Sequence, residues 1–246
     1  MEQYYKIADL TVLLDSFGRT VQQAKPYLCD PAEPQIVIRS KPITNPQLAH
    51  LSESDREYLI SGASFYRQLL TFDGMMLHAS AVVVDGKAYL FSADPGTGKS
   101  THTQLWLQKF GDQAYILNDD KPALRLRDGV WYAYGTPWSG KHDISVNTGV
   151  PVAGIAVIER AVENSIAPFG GTEAILSILR QVNRPQGAEY RIQLLNLLDK
   201  LMTQVPVWRL RCNQEPDAAQ VSYRAMSGKN RETDRHVCIY PADFPI

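Results

Sequence analysis

Apolar and polar positions alternate in short β-like runs along much of the chain and change to helical spacing in a few longer stretches. Tyr4–Leu14 and Gln35–Arg39 are β-rich but broken by Pro26, Pro31, Pro34, Pro42 and Pro46. This predicts an irregular antiparallel cap over residues 1–50 rather than an independent domain. Ser52–Phe72 has helical spacing, with Ser52 or Ser54 as N-cap and Gly74 as its stop. Leu59, Ile60, Ala63, Phe65, Leu69 and Leu70 supply its apolar face. Met75–Val84 and Lys87–Ser92 read as two strands joined by Asp85-Gly86, a dipeptide suited to a type I′ hairpin. A helix over Thr101–Lys109 and strands at Ala114–Asn118, Ala123–Arg127, Val130–Tyr134 and Gly154–Glu159 follow, with Asp128-Gly129 as a second hairpin signal. So many strands in so short a stretch predict a sheet core with antiparallel members.

The last third reads as helices over Thr172–Gln181, Glu189–Gln204 and Pro216–Met226, with an edge strand at Val205–Arg211. Ile192, Leu194, Leu195, Leu197, Leu198, Leu201 and Met202 form a broad apolar helix surface. It is core, with a leftover stripe available for contact in a homo-oligomer.

Composition narrows the choices. At 246 residues the chain is long enough to bury a core without disulfides. The expected layout is one domain over 1–228 and a charged, proline-bearing tail over 229–246. With 25 Lys plus Arg against 26 Asp plus Glu, the net charge of −1 gives no global attraction to nucleic acid or an anionic membrane. Cys29, Cys212 and Cys238 are odd in number and lack CxxC spacing, against a disulfide framework or zinc knuckle. No apolar run reaches the ~18 residues of a membrane span, and the first residues lack the pattern of a secretory signal. A cytoplasmic protein is expected.

The strongest chemical signal is a strand, then Ala93-Asp94-Pro95-Gly96-Thr97-Gly98-Lys99-Ser100-Thr101, then a helix. In such a loop, successive backbone N–H groups and the helix N-terminus face phosphate oxygens. Lys99 reaches the β and γ phosphates and Ser100 can ligate Mg²⁺. The consensus begins with glycine, and Ala93 stands in that place. Asp119-Asp120 closes the strand downstream, where one carboxylate can hold Mg²⁺ and the other can take a proton from an attacking hydroxyl. His78, on the strand entering the first hairpin, could orient that base and tune its pKa.

Three segments, Leu77-His78-Ala79, Asp94 to Ser100 and Asn118-Asp119-Asp120-Lys121, resemble the HPr kinase/phosphorylase-like branch of the phosphoenolpyruvate carboxykinase-like P-loop fold. The match covers about residues 75–127, with compatible strand order to about 226. The resemblance implies an α/β fold, a P-loop-containing mixed, partly antiparallel sheet flanked by helices, with the nucleotide-binding core at 75–226. It also implies ATP and Mg²⁺ as cofactors, residues 94–101 as the nucleotide site and Ser100, Asp119 and Asp120 as metal ligands. His78, Lys99, Asp119 and Asp120 would be the catalytic set. No counterpart of the phosphorylase segment follows, so the likeness is to short relatives that phosphorylate other hydroxyls, including free serine and the C-terminal residue of ribosomally made peptides. The expected activity is transfer of the γ-phosphoryl group to a serine-type hydroxyl of a small molecule, peptide or protein.

Residues 134–142 add two glycines, a proline, an indole and two cations. Lys141 could offset phosphate charge and Trp138 offers a rigid apolar wall, with His142 beside them as a further substrate-side candidate. His102, one turn into the loop's helix, lacks paired-His spacing and reads as structural. Arg209 and Arg211 either stay solvated or reach the nucleotide. Two other functions fit the residues: a nucleotide-binding regulatory protein or scaffold without transfer, and a carboxykinase-type reaction.

Overall fold

The computed structural model describes residues 2–39 and 46–228; the expected tail over 229–246, Pro42 and Cys238 lie outside the described residues. Strands β1 (Glu2–Ile7) and β2 (Leu10–Asp15) form an antiparallel hairpin. Its turn residues Ala8 and Asp9 take positive φ, and Ala8 is held by donation from Arg125 Nη1 to its carbonyl at 2.6 Å. Helix α1 (Gly18–Ala24) then crosses over, so β3 (Ile36–Arg39) joins β2 in parallel. The N-terminal sheet is therefore mixed, not antiparallel as the sequence predicts, because a helical crossover returns the chain in the same direction. The Gln68 amide closes the edge of β3 at Val37. It accepts from the Val37 N–H at 3.3 Å and donates to its carbonyl at 3.0 Å, as a neighbouring strand would.

Helix α2 (Glu53–Leu69) starts where Ser52 Oγ accepts from the Asp55 N–H at 3.1 Å, with Glu53 and Asp55 in the first turn and Arg67 in the last. Cap and charges both favour helix there. Its buried face is Tyr58, Ser61, Gly62, Phe65, Tyr66 and Leu69, whereas Leu59 and Ile60 are 40% and 39% exposed. The expected stripe is thus rotated, because the face that wins carries the aromatic rings stacked around Trp138. The chain leaves through Asp73 in the left-handed region, and Gly74 opens a strand instead of ending the helix.

The run expected as one strand from Met75 divides into β4 (Gly74–Met76) and β5 (Ala79–Val84). β6 (Lys87–Ser92) follows through Asp85-Gly86 with both residues at positive φ. After α3 (Lys99–Phe110) come β7 (Ala114–Asn118), β8 (Ala123–Arg127) and β9 (Val130–Tyr134). The twelve-residue β10 (Gly149–Arg160) precedes β11 (Ser165–Pro168), which sequence reading misses. The remaining elements are α4 (Gly171–Arg180), α5 (Ala188–Gln204), β12 (Val207–Cys212) and α6 (Asp217–Ser227).

Nine strands make one sheet in the order β4-β8-β9-β10-β6-β5-β7, with β12 also on β10 and β11 on β12. β10 is the hinge of this arrangement: its start pairs antiparallel with β9, its later part parallel with β6 and β12. β12 is consequently not an edge strand. Arg209 pairs with Glu159 and Glu173 and Arg211 with Glu159, so both arginines have carboxylate partners within the protein.

Alternation on β5 sorts the two faces. Ala79, Ala81 and Val83 face a core closed by Ile178, Leu194, Leu197, Leu198 and Leu201 of α4 and α5. Val82 and Val84 face the core of α3 and α6 around Trp106. Ile192 and Leu195 stay more than half exposed on α5. Among the described residues no helix is long and apolar enough to cross a membrane.

One close approach supports the turn after β9. A Cβ on Gly135 would stand 2.0 Å from the Val146 carbonyl oxygen and 2.8 Å from that of Leu117. Gly135→Ala is expected to cost about 3 kcal/mol, the upper end for overpacking. A urea unfolding midpoint equal to that of the unaltered chain would contradict the packing.

Candidate active site

β6 ends at Ser92 and hands the chain to the 94–98 loop, where Gly96 and Gly98 take φ of 75° and 123°, values an L side chain resists. Helix α3 begins at Lys99, so Ser100 and Thr101 lie in its first turn, where N–H groups are free of intrahelical partners. Lys99 is buried, and its Nζ donates to the Ala93 carbonyl at 2.9 Å. Among the described residues it has no carboxylate partner within salt-bridge distance. Burial lowers the Lys99 pKa, while Asp120, Asp94 and Asp119 work against that shift. The glycine loop is tied to the sheet by Arg160, which donates from Nε to the Thr97 carbonyl at 3.1 Å and from Nη2 to that of Gly96.

The acid pair is set by Asn118. Its Oδ1 accepts from the N–H groups of Asp120 at 3.1 Å and Lys121 at 2.8 Å, and its Nδ2 donates to the Thr136 carbonyl at 3.0 Å. This side chain-to-backbone turn separates the two carboxylates. Asp119, buried, accepts on Oδ1 from Ser80 Oγ at 2.6 Å, and Ser80 also meets Thr103 Oγ1 of α3 at 2.9 Å. Asp120 has the His78 Nε2 at 3.3 Å from Oδ1 and the Lys121 Nζ at 2.5 Å from Oδ2. Burial pushes the Asp120 carboxyl up, but donation from His78 and the Lys121 ammonium outweighs it and holds the group below its ordinary value. The histidine thus meets Asp120 and not Asp119.

Ser100, Asp119, Asp120, Lys141 and His142 line a single cleft of about 490 Å³, with Arg19, Tyr58 and Lys121 on its walls. Trp138 does not wall it. The indole is 1% exposed, stacked on Phe65 at 4.8 Å, with Nε1 donating to Ser61 Oγ at 3.2 Å. It is an anchor for the loop that carries Lys141 and His142. Gly140 of that loop donates from its N–H to the Tyr58 hydroxyl at 3.0 Å and accepts from Arg19, whose guanidinium lies 4.0 Å over the Tyr58 ring. A larger cleft of about 780 Å³, beside β3, shares no lining residue with the Ser100 cleft.

His102 is buried against Ser222 at 3.0 Å, and burial drops its imidazole to about 4, in keeping with a structural role. Among the described residues no group of three or more His, Cys, Asp or Glu is placed to hold a metal. Ser100 and the two aspartates offer hard oxygen donors of the kind Mg²⁺ takes alongside nucleotide phosphates. Arg19, Tyr58, Ser80, Arg160 and Gln181 join the site without a local sequence signal, since each reaches it from a distant element.

A family model described as SynChlorMet cassette protein ScmC matches residues 59–216. The chain belongs to the ScmC family. The matched span of this ScmC family member contains His78, the glycine loop, the acid pair and the 138–142 loop. Among solved structures it is similar to the HPr(Ser) kinase/phosphatase from Coxiella burnetii, at 15% identity over 64% of this chain and 96% of that chain, with a TM-score of 0.38. No curated protein matches it.

Glu57 of α2 fixes α1, and hence Arg19, against the cleft. It is 3% exposed and accepts from Ser16 and Thr20 hydroxyls. Burial raises its pKa above the ordinary 4.5, and the hydroxyl hydrogen bonds only partly offset this. A raised folded-state value means the native state holds the proton longer than the unfolded chain. Glu57 therefore weighs against stability as pH climbs above 4.5. In urea unfolding between pH 4.5 and 7.5, Glu57→Gln is expected to gain stability relative to the unaltered chain as pH rises. A difference independent of pH would contradict a strained carboxylate.

Proposed function

We propose that the chain is an ATP-dependent, Mg²⁺-requiring kinase that transfers the γ-phosphoryl group to a serine-type hydroxyl of a small molecule, peptide or protein. The observation that carries this reading is a buried Lys99 ammonium with no carboxylate partner among the described residues, next in the chain to Ser100, which lines one cleft with the two carboxylates. Buried charges are normally neutralised by a partner, so an ammonium held only by carbonyls suits an anionic ligand.

In this reading the backbone of 94–98 and the first turn of α3 hold phosphates, Lys99 offsets their charge, and Ser100 with Asp119 supplies metal ligands. Asp119 takes the metal because its fixed oxygen is held by the neutral Ser80. Asp120, beside the Lys121 ammonium and the His78 ring, is the carboxylate that orients the acceptor hydroxyl and receives its proton. When bound, Mg²⁺ would neutralise charge on the transferring group. Phosphoryl transfer asks mainly for alignment and charge neutralisation, so a base held ionised below its ordinary pKa suffices. Lys141 and His142, exposed at the rim, and Arg19 face the acceptor side. Ion pairs of the protein do not occupy them all: Arg19 has Asp55 at 3.5 Å, while Lys141 has no ion pair among the described residues.

The test is transfer from γ-labelled ATP with Mg²⁺ to free serine, threonine, peptides ending in serine, and HPr. A labelled acceptor is expected, with Asp120→Asn and Lys99→Ala each lowering turnover by about 10²-fold or more. Nucleotide binding without transfer to any acceptor would favour a nucleotide-binding scaffold. Full turnover in both variants would overturn the assignment of the site.

A further inference from the structure

One amide lies between the glycine loop and the acid pair. Gln181, which closes α4, is 8% exposed and touches both sides. Its Nε2 donates to Asp94 Oδ1 at 2.8 Å, and its Oε1 lies 3.0 Å from His78 Nδ1. Its backbone carbonyl also accepts from the His78 N–H at 2.7 Å. The far nitrogen of the same ring, Nε2, is the one 3.3 Å from Asp120.

Donor and acceptor chemistry gives this chain a single polarity. A carboxylate only accepts, so Asp94 demands the amide NH2. That leaves the amide oxygen for His78, whose Nδ1 must then be the donor. Turning the amide over would set its oxygen against Asp94 and break one contact without making another. The ring is thereby fixed in direction, with Nε2 aimed at Asp120, as outer-shell partners orient ligating or catalytic histidines elsewhere.

We propose that Gln181 is a positioning residue that couples the glycine loop to the acid pair, tying Asp94 to His78 and, through His78, setting where Asp120 points. The proposal rests on the phosphoryl-transfer reading of the same site and deepens it. Asp94 is exposed in the loop that would close on phosphates, so movement there is passed to the ring through a buried amide. A displacement of about 1 Å at a reacting group is enough to lower a rate by ~10²-fold.

Three variants and one spectroscopic readout test it, with nucleotide affinity and thermal unfolding measured for each. Gln181→Leu removes both contacts and is expected to lower kcat by about 10- to 100-fold, with KM for ATP within about threefold. Gln181→Glu keeps an acceptor for His78 but sets a carboxylate against Asp94, and should be impaired similarly. In Gln181→Glu combined with Asp94→Asn the donor and acceptor of that contact are exchanged. Turnover should then recover by about tenfold over Gln181→Glu alone, a rescue that loss of folding does not give.

The second readout needs no chemistry. With ¹⁵N-labelled histidine, the ring signals assigned to His78 by their loss in His78→Gln should shift when a non-hydrolysable ATP analogue binds without divalent metal. The shift should vanish in Gln181→Leu while the analogue still binds. A wild-type kcat in Gln181→Leu, no rescue in the double variant, or a shift that persists without Gln181 would each overturn the coupling. A chain that binds the analogue and shows the shift but phosphorylates no acceptor would sink the kinase reading and leave the coupling supported; one that binds no nucleotide would sink both.

Discussion

The site depends on the register of β5 between β6 and β7. β5 runs antiparallel to both, with Ala79 opposite Ser92 and Ala81 opposite Asn118. That register brings three chain positions to one end of the sheet: the residue before β5, which is His78, the exit of β6 into the glycine loop, and the exit of β7 into the acid pair. Burial enforces it. From Ala79 to Val84 no residue is more than 3% exposed, so a slip of one position would exchange the faces of the whole strand. It would also carry the Ser80 hydroxyl away from α3 and leave Asp119 without its donor.

Charge is concentrated where this register places it. Lys99, Asp119 and Asp120 sit in or near the interior, a costly arrangement unless each polar atom is met. The chain meets them with neutral donors and acceptors on one side, Ser80 for Asp119 and main-chain carbonyls for Lys99, and with the His78 ring and the Lys121 ammonium on the other, both for Asp120. The asymmetry separates two otherwise identical carboxylates into one with a neutral anchor and one held ionised by its neighbours. The N-terminal sheet contributes from outside the main sheet: α1, fixed by Glu57, places Arg19 over Tyr58 and pins the loop that carries Lys141 and His142.

What the sequence made legible was local. Asp85-Gly86 and Asp128-Gly129 mark their hairpins because positive φ is a property of the dipeptide, and the glycine loop and acid pair stand out because each is a contiguous string. What it hid was relational. β12 looks like an edge strand from its arginines, yet β11 covers it and β10 pairs with its other side. Trp138 looks like a substrate wall in a Gly/Pro segment, but its environment is made by Phe65 and Ser61, more than seventy residues away. The spacing of α2 favours burial of Leu59 and Ile60, and the face that is buried instead is the one that packs on that same indole. Gln181 and Arg160, which tie the glycine loop to α4 and β10, carry no signal of their own because an amide or guanidinium at the end of an element is ordinary until its partners are known.

In the proposed function the glycine loop and the acid pair form one nucleotide and metal site. A crystal structure with a non-hydrolysable ATP analogue and Mg²⁺ tests it most directly. The account predicts phosphates on the N–H groups of residues 96–101, Lys99 Nζ turned from the Ala93 carbonyl to a phosphate oxygen, and a metal reached by Ser100 and Asp119 with Asp120 facing the acceptor side of the cleft. A nucleotide seated elsewhere, or a phosphate-filled loop with the metal beyond reach of Ser100 and both aspartates, would contradict it.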